Sequence, residues 1–199
     1  MSVFNPASSP VLMPGGLVVW ENLFTRAELD ALEQYGDRLN QERAELAAKD
    51  TGRDSIRVTR VAWLMRDAQT ESFYARMEEV VLRLNAQFFR YDLSGVVTFQ
   101  YAVYDGAEGG HFDWHKDYGK DYGAAAQEPR KLSLSLQLSN SADYQGCDLE
   151  VRAGNITDVA PRTRGAVIAF PSYVLHRVTP ITSGVRKSLV VWAVGPEFK

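Results

Sequence analysis

From about residue 94 onward the sequence is a succession of short runs rich in β-branched, aromatic and aliphatic residues, each closed by Gly, Asn, Asp or Pro. The runs are Val96–Tyr104, Leu132–Leu138, Asp148–Val151, Gly165–Phe170 and Ser188–Ala193. Runs of this length and composition, punctuated this often, specify strands and turns rather than helices. A chain with so many short strands closes into a sandwich or a jelly roll.

The first half reads differently. Residues 1–16 are rich in Pro, Ser and Gly and form an irregular lead-in, followed by a strand at Val18–Trp20. Thr25-Arg26-Ala27-Glu28 has the pattern of a capping box, and the apolar spacing from Leu29 predicts a helix running to Leu46, ending before Asp50-Thr51-Gly52. Arg57–Leu64 alternates as a strand. Glu71–Phe89 carries Phe73, Met77, Val80, Val81, Leu84 and Phe88 on one stripe, an amphipathic helix whose stripe is read as core. With no internal repeat and no linker, the 199 residues are expected to form a single domain: residues 1–93 a helical support, residues 94–199 the β core. The expected class is α+β, mainly β.

The formal net charge of -3 and the scatter of Lys and Arg give no reason to expect nucleic acid. Cys147 is the single cysteine, so no internal disulfide forms and a reducing compartment is expected. The N-terminal residues lack a basic region followed by a long apolar run, and Leu17–Trp20 is too short to cross a membrane. The expectation is a cytoplasmic protein with no membrane association.

Chemistry concentrates in Phe112-Asp113-Trp114-His115-Lys116-Asp117 and in the distant His176. His115 and Asp117, two apart, can face the same side of a strand. Two imidazoles and a carboxylate on one face of a cation leave positions open for other ligands, which suits Fe(II) and also Zn or Mn. His111-Phe112-Asp113 is a rival pair with the same strand parity, so parity does not choose between them. His111 follows a turn signal, whereas His115 lies deeper in the apolar stretch, and this favours His115. Arg186 stands in a strand that is otherwise mostly apolar, where a guanidinium needs a partner; its planar fork matches a carboxylate.

From about Gln100 to Trp192 these residues resemble the prolyl-4-hydroxylase-like branch of the Fe(II)/2-oxoglutarate-dependent dioxygenases, including the PKHD-type hydroxylases. Tyr104-Asp105-Gly106 leading into Phe112–Asp117 looks like that branch's Tyr-x-Gly and Phe-x-x-His-x-Asp segments. Asp143–Leu149 is similar to its Tyr-x-Gly-Gly-x-Leu turn, with Cys147 in place of the second Gly. Gly165–Phe170, Pro171-Ser172, His176, Thr179-Pro180, Gly184, Arg186 and Trp192 resemble its C-terminal signature.

The resemblance implies a double-stranded β-helix supported by the N-terminal helices. It implies His115, Asp117 and His176 as catalytic iron ligands, with His111 and Asp113 as neighbours only. It places Arg186 on the distal carboxylate of 2-oxoglutarate and brings Tyr104, Gln137 and Trp192 to the cosubstrate, Gln137 where some relatives carry a tyrosine and Trp192 as a pocket wall.

The implied cofactors are Fe(II), 2-oxoglutarate and O2, with ascorbate as a reductant. The implied reaction is hydroxylation of a small molecule or a peptidyl residue with release of succinate and CO2. Asp117 favours hydroxylation over halogenation, because halogenating relatives leave that ligand position to a halide. Desaturation, epoxidation or cyclisation by the same cofactors, a cupin-like metalloenzyme without 2-oxoglutarate and a non-catalytic jelly-roll binding module are the competing readings. The segment Asp117–Arg130 has the composition of a substrate-covering lid or of an ordinary mobile loop.

Overall fold

The computed structural model describes residues 8–46, 56–97, 99–118 and 128–198. The elements in chain order are β1 (Val11–Leu12), β2 (Val18–Trp20), α1 (Arg26–Arg38), β3 (Glu42–Leu46), β4 (Arg57–Leu64), α2 (Glu71–Leu84), β5 (Gly95–Val96), β6 (Phe99–Asp105), β7 (His111–His115), β8 (Arg130–Gln137), β9 (Tyr144–Gly146), β10 (Leu149–Ala153), β11 (Ile156–Val159), β12 (Val167–Pro171), β13 (Leu175–Val178) and β14 (Ile181–Val194). A five-residue π turn, Asn85–Phe89, extends α2. The strands join in the order β1-β2-β12-β8-β14-β6-β4-β7-β13-β10-β11, with β3 on β4 and with β5 and β9 on β14.

This sheet curls on itself. A single cavity is lined from β4, β6, β8 and β14 on one side and from β7, β10 and β13 on the other. The result is the jelly roll expected from the strand texture.

The larger layer is buried on both faces, and β8 makes the reason visible. Leu132, Leu134 and Leu136 belong to the apolar cluster shared with Leu29 and Leu32 of α1 and Met77, Val80 and Leu84 of α2. The alternate residues Ser133, Ser135 and Gln137 are also buried, but on the cavity side. Strand alternation thus sorts one sequence into an apolar face for the helices and a polar face for the site.

The capping box at Thr25 and Glu28 forms as expected, with both the Thr25 side-chain and Glu28 side-chain bonds present. The helix does not reach Leu46. It ends at Arg38, Leu39 turns extended as its cap, and Glu42–Leu46 pairs instead with β4, Glu42 opposite Val61 and Leu46 opposite Arg57. Glu-Arg-Ala-Glu-Leu favours helix locally, but a pairing partner overrides that modest preference. The segment before residue 94 therefore supplies strands as well as helices, and β4 sits inside the sheet between β6 and β7.

β14 is the spine of the larger layer, pairing with β9, β6, β8 and β5 along its 14 residues. Gly184 lets β9 approach it. Its φ is +78°, and a methyl group there would collide with the Asp143 carbonyl oxygen. Gly184→Ala is expected to cost about 2–5 kcal/mol from left-handed strain and overpacking together, lowering Tm by roughly 5 °C or more. Calorimetry showing an unchanged Tm would mean that this close approach is not required.

Candidate active site

His115 ends β7, and His176 lies directly opposite it on β13. The pairing is irregular: His176 faces His115, yet Val178 faces Phe112, so β7 spends three steps where β13 spends two. The extra residue is a β-bulge, and a bulge reverses strand parity. Phe112 and His115 therefore both line the cavity. His111, Asp113 and Trp114 do not: His111 Nδ1 lies 2.8 Å from the Gly109 carbonyl oxygen, Asp113 Oδ1 accepts from the Trp114 amide, and the Arg152 and Arg177 guanidiniums lie 4.1 and 4.7 Å from the centroid of the Trp114 ring. The two His-x-Asp pairs share one parity by number, and the bulge between them is what brings His115 and not His111 to the cavity. Asp117 itself lies beyond the end of β7 rather than on it, held by its amide donating to the Ser172 carbonyl at 2.9 Å.

The donor atoms of His115, Asp117 and His176 all lie within 4.8 Å of one another. His115 Nδ1 donates to the Asp113 carbonyl at 2.8 Å, and His176 Nδ1 donates to the Val174 carbonyl at 3.0 Å. A carbonyl can only accept, so each ring carries its proton on Nδ1 and presents the Nε2 lone pair. The two Nε2 atoms lie 3.8 Å from Asp117 Oδ1 and 3.4 Å from Asp117 Oδ2 respectively. Imidazoles oriented by backbone acceptors, with free lone pairs converging on a carboxylate, fit a divalent cation. Burial, followed by the neighbouring His176, pushes the His115 pKa down to about 3, so this ring is neutral at ordinary pH, the form that binds metal.

Asp117 is 6% exposed. Burial acts to raise its pKa, but the His176 and His115 imidazoles and the hydrogen bonds to it outweigh burial and hold the carboxyl below the usual carboxylate range. Its Oδ2 accepts from Ser133 Oγ at 2.7 Å and from Trp192 Nε1 at 2.8 Å. Ser133 and Trp192 are cross-strand neighbours on β8 and β14, so one register pair holds the carboxylate in place. Ser172 Oγ lies 2.8 Å from Ser133 Oγ and extends the network.

At the other end of the same cavity Arg186 is 3% exposed. It sits opposite Tyr104 of β6, with its guanidinium 5.6 Å from the Tyr104 ring centroid. Its Nε donates to Gln137 Oε1 at 3.1 Å, and Gln137 Nε2 donates to the Tyr144 hydroxyl at 3.0 Å. Tyr104 lines the cavity, whereas Gln137 orients the guanidinium from behind. Trp192 lines the cavity and also holds Asp117, a bond the expected pocket wall did not include. Burial pushes the Cys147 thiol up to about 11, which leaves it an unreactive packing residue.

Ser133, Ser172, Arg57 and Gln100 went unrecognised as site residues from sequence. The one available signal was Ser133-Leu134-Ser135-Leu136-Gln137: small polar residues alternating with leucine in a strand buried on both faces must meet buried polar partners, here Asp117 and Arg186. Most of the proposed lid falls on residues 119–127, outside the described residues.

Comparison with known proteins agrees with this geometry. A sequence model of the 2OG-Fe(II) oxygenase superfamily matches residues 99–194. A PKHD-type hydroxylase of Hyphomonas neptunium is 35% identical over 85 residues, 43% of this chain and 38% of that protein. One of Acidovorax ebreus is 33% identical over 88 residues, 43% of this chain and 39% of that protein. The match spans about two-fifths of the length of these curated relatives.

In fold, a crystal structure of a Pseudomonas putida prolyl-4-hydroxylase superposes with a TM-score of 0.69 at 21% identity, covering 92% of this chain and 95% of that one. A Trichoplax adhaerens prolyl hydroxylase in complex with a hypoxia inducible factor peptide gives 0.69 at 19%, covering 91% and 84%. Residues 99–194, just under half of the chain, match the 2OG-Fe(II) oxygenase superfamily, and within that stretch the chain is similar to PKHD-type hydroxylases.

Trp192→Phe keeps a ring in the wall and removes the bond to Asp117. Loss of a group orienting a metal ligand is expected to weaken binding of a divalent cation by about 10–100-fold. A Mn(II) titration followed by electron paramagnetic resonance measures this, and unchanged affinity would remove Trp192 from the support of Asp117.

Proposed function

We propose that this chain is an Fe(II)- and 2-oxoglutarate-dependent dioxygenase, a hydroxylase acting on a peptidyl residue or a small amino-acid-like molecule with release of succinate and CO2. The observation that carries the reading is the pairing, in one cavity of about 250 Å³, of the His115–Asp117–His176 triad with the buried Arg186. A triad alone fits several metals; a triad sharing one cavity with a buried guanidinium fork fits a bound dicarboxylate. The competing binding module and the enzyme without 2-oxoglutarate leave Arg186 unexplained.

In this reading His115 and His176 bind iron through Nε2 and Asp117 through the carboxylate that Ser133 and Trp192 hold. When bound, iron and 2-oxoglutarate supply the oxidising power: one oxygen atom of O2 goes to the substrate, the other into succinate. Arg186, set by Gln137, pairs with the distal carboxylate and fixes the cosubstrate against the triad. Tyr104, whose phenol pKa is raised by burial, stays protonated and can donate from the cavity wall. Phe112, Phe170 and Trp192 keep the centre apolar and exclude water. Ascorbate would serve as an external reductant. The whole chain acts as one oxygenase domain.

The prolyl hydroxylases among the structural neighbours support a peptidyl substrate. A 2-oxoglutarate-dependent carbocyclase from nogalamycin biosynthesis shares the fold, with a TM-score of 0.66 at 13% identity over 91% of this chain and 80% of that one. It favours ring closure as the second outcome to test.

Anaerobic addition of Fe(II) and 2-oxoglutarate is expected to produce a weak visible charge-transfer band. Asp117→Ala or His176→Ala should abolish the band, and Arg186→Ala should weaken 2-oxoglutarate binding on the order of tenfold or more while sparing the metal. Wild-type protein that gives no band and releases no succinate would sink the proposal. Unchanged 2-oxoglutarate affinity in Arg186→Ala would remove that residue from the cosubstrate.

A further inference from the structure

Asp117 is held at three points: by the Ser133 hydroxyl, the Trp192 indole and the Ser172 carbonyl. The Ser172 carbonyl also accepts from the amide of Tyr118, the residue after Asp117, at 2.9 Å. Residues beside these points converge on one ring, that of Phe198, in the segment that follows β14.

Tyr118 lies 5.8 Å from Phe198, centroid to centroid. Tyr173, the residue after Ser172, meets Phe198 edge-on at 5.6 Å. Lys131, two residues before Ser133 on β8 and only 3% exposed, places its ammonium 4.0 Å from the centroid of the same ring. The Lys131 carbonyl accepts from the Ser172 amide at 3.0 Å, which joins two of these neighbours directly. Tyr91 packs edge-on against Phe198 at 5.1 Å, and its hydroxyl lies 3.3 Å from that of Tyr173. Glu197 accepts from the Tyr118 hydroxyl at 2.5 Å. None of these side chains lines the cavity.

The path of the segment is set where it leaves β14. The Gly195 amide donates to the Pro129 carbonyl at 3.3 Å, and a methyl group at Gly195 would collide with the Asp92 carbonyl oxygen. The chain therefore passes between those two segments and delivers Phe198 to the junction. Tilted and edge-on ring contacts at these distances are attractive and directional, and an ammonium over a ring adds to them. Asp117 has no strand ladder of its own, so its backbone depends on such lateral support. A carboxylate that must meet two imidazole Nε2 atoms at one cation tolerates little displacement.

We infer that Phe198, aided by Glu197, is a positioning residue for Asp117. It ties together Tyr118, Tyr173 and Lys131, the neighbours of Asp117 and of two of the groups that hold it, and so fixes the direction from which the carboxylate meets a cation. The inference rests on the oxygenase reading and gives the segment after β14 a part in it. A ring that merely finished the packing of this edge would stabilise the fold and leave the ligand geometry untouched.

The test is a titration of the full chain with Mn(II), followed by electron paramagnetic resonance. The signal reports affinity and, through the zero-field splitting of the bound ion, the geometry of its ligands. Phe198→Ala is expected to weaken Mn(II) binding by about tenfold and to change the splitting. Phe198→Tyr keeps the ring and should bring both close to their wild-type values. Glu197→Ala leaves every ring in place and removes the bond to Tyr118. It should weaken binding several-fold, and it guards against a Phe198 variant that fails to fold.

Wild-type affinity and splitting in Phe198→Ala, whatever its Tm, would overturn the inference and leave the oxygenase reading intact, because the ring would then serve stability alone. Equal losses in Phe198→Tyr and Phe198→Ala would do the same. If Phe198→Ala does not fold, unchanged affinity and splitting in Glu197→Ala overturn the inference. A wild-type protein that binds no divalent cation would instead overturn the oxygenase reading, and this inference with it.

Discussion

The structure depends on how a buried carboxylate is held. Asp117 lies past the end of β7, on a stretch with no ladder of its own, and its charge is almost fully removed from water. Burying a charge is costly unless partners replace the lost solvent. Here the partners come from the opposite layer: Ser133 from β8 and Trp192 from β14 donate to one oxygen, and the Ser172 carbonyl accepts from the backbone amide. The carboxylate is thus a tie between the larger layer and the strands that carry the histidines. The same contacts that make its burial tolerable also fix where an oxygen able to bind a metal points.

Much of this was legible in the sequence. The strand runs after residue 94, the Thr25 cap, β4 and the α2 stripe follow from local pattern, because each is set by periodicity within a few residues. The triad and Arg186 were legible as residue types that a buried or apolar setting does not hold without a partner. What was not legible depends on pairing between distant segments. The strand fate of Glu42–Leu46 is decided by β4, not by its own preference. The exclusion of His111 and Asp113 comes from an extra residue in β7 relative to β13, and a bulge leaves no mark in a single strand's alternation. The side-chain amide of Gln137 faces Arg186 and Tyr144, a placement set by cross-strand geometry that a single strand's pattern does not carry.

The first half of the chain, which as sequence carries no functional motif, is built into the site in two ways. Its strand β4 enters the sheet beside β7 and brings Arg57 and Trp63 to the cavity. Its helix α1 grips the back of the strand that carries Arg186. Arg186 and Lys187 are successive residues and so face opposite sides of β14. Arg186 points into the cavity, while Lys187 Nζ donates to Glu33 at 3.1 Å and to Asp37 at 2.8 Å on α1. Arg164, at the turn before β12, adds bonds to Asp30 and Glu33 of the same helix, and the buried Tyr101 donates to Asp37 at 2.8 Å.

Each of these ion pairs is partly exposed and individually worth little. Their value lies in geometry: they converge on one helix face above the centre of β14, where Leu29 and Leu32 already pack. A guanidinium recognises a carboxylate through two bonds at fixed spacing, so displacement of its strand weakens both together. A strand clamped from behind by a helix and bonded on both edges to β6 and β8 cannot shift easily. Helices in this protein therefore do more than shield apolar surface; they hold in place the strand that carries Arg186 at one end of the cavity.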